Sequence, residues 1–450
     1  MKQVFFLFIA SLFLFSCGNK KKEVAPQIDS SKHPEWSYGA TIYEVNVRQY
    51  TKEGTFEAFS KEIPRLKELG VDILWFMPIQ PIGKVERKGT LGSYYSIQDY
   101  KAVNPEFGKM QDFQKVVKLA HDNGMKVIMD WVANHTSRDA VWLQQHPDWY
   151  MKDSLGKVIA PFDWTDVAEL DYSKKEMRAE MINAMSYWLK EANLDGFRCD
   201  VAGEIPTDFW LEAKDALLKI QPSLFMLSEY EKPELNEKAF DAFYTWDFFH
   251  KMNDVAQGKS GVDSLRVAYN KIQTNFPKHA MPMFFTSNHD ENSWNGTEFE
   301  RMGKAAPTFA ALTFMMPGIP LIYNGQEVGF NRRLQFFEKD LIDWKENKSF
   351  TDLYAMLVKF RKSNVALHSP EKGGTFQEIK TDKPSAIWAF KRVKDANEIV
   401  CVFNLSNAVQ KVKFDNTIFL NHYKRFGAAE IPENLSELEL QPWEYLIYYK

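Results

Sequence analysis

The chain has 450 residues, 45% of them hydrophobic, and its 56 Lys and Arg against 60 Asp and Glu give a formal net charge of −4 at pH 7. That apolar content buries more core than one small domain needs, so a large domain with a small companion is expected. The near balance of charge provides no broad electropositive field, which excludes nucleic acid as a partner and points to uncharged substrates.

The first 17 residues read as a targeting segment: Lys2, the apolar run from Val4 to Phe15, then Ser16-Cys17. The run is too short to span a bilayer. Leu14-Phe15-Ser16-Cys17 resembles a bacterial lipobox, with Phe15 bulkier than the usual residue there. The expectation is cleavage and lipidation at Cys17, giving a membrane-anchored, extracytoplasmic protein; ordinary secretion is the alternative. Lys20 to Lys22 contrast with the acidic export tags of some surface lipoproteins, which favours a periplasm-facing position over the cell surface. Residues 18–34 lack hydrophobic periodicity and read as a tether.

From residue 35 to 365, short strand-like runs alternate with amphipathic helical patterns, the signature of a parallel sheet wrapped by helices. Eight runs are predicted: Thr41–Val47, Ile73–Phe76, Lys126–Asp130, Asp195–Arg198, Phe225–Glu229, Ala242–Trp246, Met283–Ser287 and Ile319–Tyr323. Eight β/α units imply a closed (β/α)8 barrel, an α/β fold whose catalytic groups sit where the strands end. The stretch 136–172 after the third strand is long for a βα loop and reads as a short inserted domain over that face. Residues 366–450 show period-two strands and read as an antiparallel β-sandwich domain. Cys199 and Cys401 are far apart in sequence and lack metal-ligand spacing, so neither a disulfide framework nor a structural zinc is expected.

The strand ends carry the chemistry. Asp130, Asn134 and His135 end the third run, Arg198 and Asp200 the fourth and Glu229 the fifth, while Asn288-His289-Asp290 follow the seventh. Singly, each His or Asp is more often a cap or a surface residue; clusters at four strand ends on one rim overturn that. Retaining glycosidic cleavage needs a carboxylate that attacks the anomeric carbon and a carboxylic acid that protonates the leaving oxygen, about 5–5.5 Å apart. Asp200 and Glu229, on neighbouring strands, suit these roles. Arg198 lies two residues before Asp200, on the same side of the strand, and its charge is expected to keep Asp200 ionised. Glu229 follows Leu224 to Leu227, an apolar setting expected to raise its pKa and hold a proton. Glu231 and Glu234 compete less well because they lie beyond the strand end. Asp290, with His289, Asn288 and His135, can bind sugar hydroxyls and strengthen those bonds as the ring flattens.

These residues resemble the α-amylase superfamily, glycoside hydrolase family 13. Asp130-Trp131-Val132-Ala133-Asn134-His135, Gly196-Phe197-Arg198-Cys199-Asp200, Leu227-Ser228-Glu229-Tyr230 and Ser287-Asn288-His289-Asp290 look like its four short motifs in order. The resemblance implies a nucleophile at Asp200, an acid/base at Glu229 and a third carboxylate at Asp290, with Tyr95, Asp130, His135, Arg198, Asn288 and His289 binding substrate. It also implies that Tyr95 stacks on the sugar, with Tyr94 as the alternative, and that Gly318 to Glu327 is the family's eighth-strand segment. After the nucleophile many members carry a Lys-His pair that touches the leaving-group sugar and a calcium ion, where this chain has Gly203-Glu204. Asn134 remains as a possible calcium ligand; no redox or organic cofactor is required. Trp131, Trp164, Trp246 and Trp294 are candidates to line a glucan cleft, although packing is the commoner role. The expected activity is hydrolysis of α-1,4-linked glucans such as starch, maltodextrin or cyclodextrin. Transglycosylation by the same carboxylates, and a catalytically silent glycan-binding lipoprotein, are the alternatives.

Overall fold

The computed structural model describes residue 1, residues 32–345 and residues 347–450. Cys17 and most of the expected tether lie outside the described residues. Eight parallel strands close into a barrel: β1 (Ile42–Val45), β2 (Ile73–Phe76), β3 (Lys126–Trp131), β6 (Gly196–Cys199), β7 (Phe225–Ser228), β8 (Ala242–Tyr244), β9 (Met281–Phe284) and β10 (Ile319–Tyr323). Closure is made by β10 pairing with β1, Leu321 beside Ile42. Between β3 and β6, β4 (His135–Ser137) and β5 (Val167–Glu169) form an antiparallel pair of their own. Strands of a parallel barrel are buried on both faces, so they read as unbroken apolar runs, as in Phe225-Met226-Leu227. The helices between them present one apolar stripe to the sheet. In Met110–Asp122 this stripe is Phe113, Val116, Val117 and Ala120.

Tertiary register moves several predicted boundaries. The first run stops at Val45 because the Asn46 side chain accepts the Gln49 N–H and caps a short helix. The sixth stops at Tyr244, since Trp246 already opens the helix Trp246–Ala256. The seventh begins two residues early, where Met281 pairs with Ala242. At Gly196 no side chain is possible: a Cβ would stand 1.9 Å from the Phe225 carbonyl oxygen, so glycine allows β6 and β7 to meet.

The expected tether also ends differently. His33 and Pro34 are buried. The His33 ring bonds Asp241 Oδ1 at 2.7 Å and the His279 carbonyl at 2.8 Å, and buried Lys214 meets the other Asp241 oxygen at 2.7 Å. This clamp sits under the strands' starting ends, because Asp241 directly precedes β8 and accepts the Met226 N–H.

The C-terminal antiparallel β domain comprises β11 (Thr375–Ile379), β12 (Ile387–Lys394), β13 (Asn397–Asn404), β14 (Gln410–Phe419), β15 (Lys424–Arg425), β16 (Asn434–Leu440) and β17 (Tyr445–Tyr449). Its period-two pattern has two destinations. Trp388 and Phe390 on β12 join the barrel core, whereas Ile387 and Ala389 pack with Val412, Leu435 and Leu440 from the pair β14–β16. Cys199 and Cys401 are buried free thiols.

Candidate active site

At the strands' C-terminal ends a cavity of about 690 Å³ is lined by Tyr95, His135, Asp200, Glu229, His289 and Asp290, together with Trp164, Trp294, Phe336 and Phe337. Asp200 directly follows β6 and Glu229 directly follows β7, and their backbones are fixed by extending the barrel ladders. Asp200 N–H donates to the Trp131 carbonyl at 3.0 Å, and Glu229 N–H donates to the Cys199 carbonyl at 3.0 Å. Two carboxylates from adjacent strands are thereby held at one rim of the barrel.

Arg198 lies beneath them, fully buried. Its Nη1 donates to Asp130 Oδ1 at 2.9 Å and to Asp200 Oδ1 at 3.0 Å, while Nη2 stands 2.9 Å from Glu229 Oε1. One guanidinium serves three carboxylates, which changes the expected electrostatics. Burial, and then the neighbouring Glu229 charge, push Asp200 well above the ordinary carboxylate range despite Arg198. Burial also raises Glu229, with Arg198 opposing it. Arg198 therefore offsets only part of the desolvation of Asp200, because its charge is divided among three carboxylates. The two titrate as a pair.

The third carboxylate is oriented by a chain of contacts. Asp290 Oδ2 lies 3.2 Å from His289 Nε2, and His289 Nδ1 bonds buried Glu44 on β1. Burial disfavours the charged form of His289, but Asp290 and Glu44 together raise it well above its ordinary value. Burial likewise works against the Asp290 carboxylate, yet the His289 imidazolium brings it below the usual range. The Tyr95 hydroxyl meets His289 Nε2 at 2.7 Å and donates to Asp130 Oδ2 at 3.0 Å, and the Tyr95 ring stacks on the His289 ring. Burial drives His135 down to about 3, so it faces the cavity as a neutral imidazole.

Not every predicted binding residue reaches the cavity. Asp130 and Arg198 form its underside and orient Tyr95, Asp200 and Glu229. Asn288 is also fully buried, and its Oδ1 accepts the Glu291 N–H at 2.8 Å, so it shapes the loop after β9. Tyr94 is turned away under Arg48, 4.2 Å from its ring. Of the four tryptophans considered, Trp164 and Trp294 line the cavity. Trp131 is core and Trp246 packs on Tyr244 and Phe285. Lys88, Asp166, Phe336 and Phe337 also line it without any strand-end signal in the sequence.

Calcium takes about six to eight oxygen ligands, from carboxylates, side-chain amides and backbone carbonyls alike. The Asn134 side-chain amide nitrogen leans on the His135 ring, and its backbone carbonyl accepts the Leu170 N–H. Among the described residues no group of three or more His, Cys, Asp or Glu could hold a metal ion. At Gly203, a Cβ would stand 2.3 Å from the Tyr230 ring, so the Tyr230 ring occupies the space a side chain would need there. The Tyr230 hydroxyl donates to Glu204 at 3.0 Å.

The sequence profile described as "Alpha amylase, catalytic domain" matches residues 29–167 and 148–364. The chain is 27% identical over 390 residues to alpha-amylase MalA of Haloarcula japonica, a match covering 83% of this chain and 56% of that protein. It thus spans little more than half the length of that relative. It is 25% identical over 383 residues to a cyclomaltodextrinase of a Bacillus species, covering 79% of this chain and 66% of that protein. Among solved structures, the noncanonic maltogenic alpha-amylase AmyB from Thermotoga neapolitana superposes with a TM-score of 0.83 at 30% identity, covering 91% of this chain and 98% of that one.

Proposed function

The chain belongs to the alpha-amylase family, glycoside hydrolase family 13, and from that premise we propose that it is a retaining hydrolase of α-1,4-linked glucans. Asp200 attacks the anomeric carbon while Glu229 gives its proton to the leaving oxygen. Glu229 then takes a proton from the water that releases the sugar from Asp200. Asp290 and His289 bind ring hydroxyls, and Tyr95 gives the sugar a flat apolar face. The observation that carries this reading is the pair Asp200 and Glu229 on adjacent strands, joined through Arg198 and open to the same cavity.

The test is incubation of the enzyme, beside Asp200→Asn, with maltoheptaose, pullulan and β-cyclodextrin, following the anomeric form of the products by NMR. Products released in the α configuration by wild type alone support the mechanism. Sugar binding without turnover would move the assignment to a glycan receptor.

The proposal includes a lipid anchor at Cys17 and an extracytoplasmic, periplasm-facing position. Its support is the apolar leader ending in Leu14-Phe15-Ser16-Cys17. Among the described residues no helix is long and apolar enough to cross a membrane. Incorporation of labelled fatty acid into wild type but not Cys17→Ala would support it, and equal release of both proteins as soluble chains would sink it.

A further inference from the structure

The loops around the cavity are unequal. Travelling round the barrel, β9, β10, β1, β2 and β3 make one continuous arc and β6, β7 and β8 the other. On the first arc, the segment after β2 is fastened to chain on either side. To the loop after β10, the Leu91 N–H donates to the Phe337 carbonyl at 3.0 Å and the Thr90 N–H to Glu338 Oε1 at 2.9 Å. Gly89, at φ 62°, fits so closely that a Cβ would stand 2.5 Å from Phe337 Cβ. To the inserted domain, Lys88 Nζ lies 3.1 Å from Asp166 Oδ1, and farther along the segment the Ser96 hydroxyl donates to the Asp166 carbonyl at 3.2 Å. The segment is a belt from the loop after β10 to the inserted domain. Lys88, Asp166, Phe336 and Phe337 face the cavity along it. On the second arc the chain after β6 is short, and Tyr230 after β7 is 37% exposed.

The acid/base side chain gives this asymmetry a direction. Glu229 stands on the second arc and protonates the leaving oxygen, so the departing chain lies over that arc. The sugar joined to Asp200 then points its non-reducing end at the belt. We infer, resting on the hydrolase reading above, that the belt closed by the Lys88–Asp166 ion pair makes this a blind-ended site that takes glucans by their non-reducing ends and releases short products. A cavity of about 690 Å³ is of the size that holds a small ligand. Lys88 acts here as a specificity-determining residue whose ammonium, held by Asp166, forms part of the end wall.

The test compares maltoheptaose carrying a reporter at its reducing end with the same molecule whose terminal 4- and 6-hydroxyls are blocked by an ethylidene group, and with β-cyclodextrin, which has no ends. Wild type is expected to show kcat/KM at least about tenfold lower on the blocked chain and on the cyclic one. In Lys88→Ala the ratio of blocked to unblocked rates is expected to rise severalfold, because the wall has lost its closing contact. Equal wild-type rates on blocked and unblocked chains would overturn this inference and leave the hydrolase reading intact. A ratio unchanged in Lys88→Ala would overturn the part assigned to the ion pair. Inactivity on the unblocked chain would overturn the hydrolase reading, and this inference with it.

Discussion

Val201 donates its backbone N–H to Glu229 Oε2 across 2.9 Å, and it does so from a left-handed backbone with φ 37° and ψ 44°. A β-branched residue is out of place there, and such a conformation costs about 1–3 kcal/mol. The strain lies directly after Asp200 and aims an amide at the Asp200 partner. One turn thereby sets the position of both carboxyls.

Glu229→Gln keeps an oxygen for the Val201 amide but has no proton to give. Its kcat on maltodextrin should fall by about 10²- to 10⁴-fold. On α-glucosyl fluoride, whose leaving group needs no proton, the loss should be far smaller. Equal losses on the two substrates would remove Glu229 from the acid role.

Arg198→Lys retains a charge but not a fork, so it cannot reach Asp130, Asp200 and Glu229 together. We expect kcat to fall by about 10²- to 10³-fold, with a shifted pH profile because the Asp200 and Glu229 pair loses its shared counter-charge. An unchanged profile would show that Arg198 is only packing.

Burial raises Asp200 above the value near 3.9 that an unfolded Asp has. A carboxyl raised by folding is held at a disadvantage whenever it is ionised in the folded state, and the penalty disappears as pH falls below both values. Asp200→Asn should therefore raise the thermal unfolding midpoint at pH 7 and lose that advantage in acid. Activity should follow a bell whose two limbs belong to the Asp200 and Glu229 pair as a whole, because the reaction needs one proton between the two carboxyls. A variant less stable than wild type at pH 7 would contradict this account.

Beneath the barrel, Asp241 is held below the ordinary range. Burial works against its charge, and Lys214 and His33 more than offset it. Its contribution to stability is present above the unfolded Asp value and is lost as pH falls through the folded one. Asp241→Asn leaves Lys214 buried without its partner and should cost about 3–5 kcal/mol, read from the urea midpoint. A change within error would show that Lys214 finds another partner.

The carboxylates were legible in the sequence because each follows an apolar run, and in a parallel barrel every strand ends on the same face. Asp200 and Glu229 needed only that rule, whereas Asp290 stands beyond the end of β9, which closes at Phe284. Depth was not legible, since Asp130, Arg198 and Asn288 carry the same strand-end signal as His135 yet lie under the cavity floor. Nor was the wall. Lys88, Asp166, Phe336 and Phe337 belong to loops without periodicity, and they meet only because the segment after β2 is fastened to chain 248 positions away, as in Thr90 with Glu338. Glu44 orienting His289 and His33 clamped by Asp241 are contacts of the same long-range kind. Local alternation of apolar and polar residues determines which elements form and which end of a strand a residue occupies. Which loops touch, and so where the cavity is closed, was decided only when the barrel brought distant segments together.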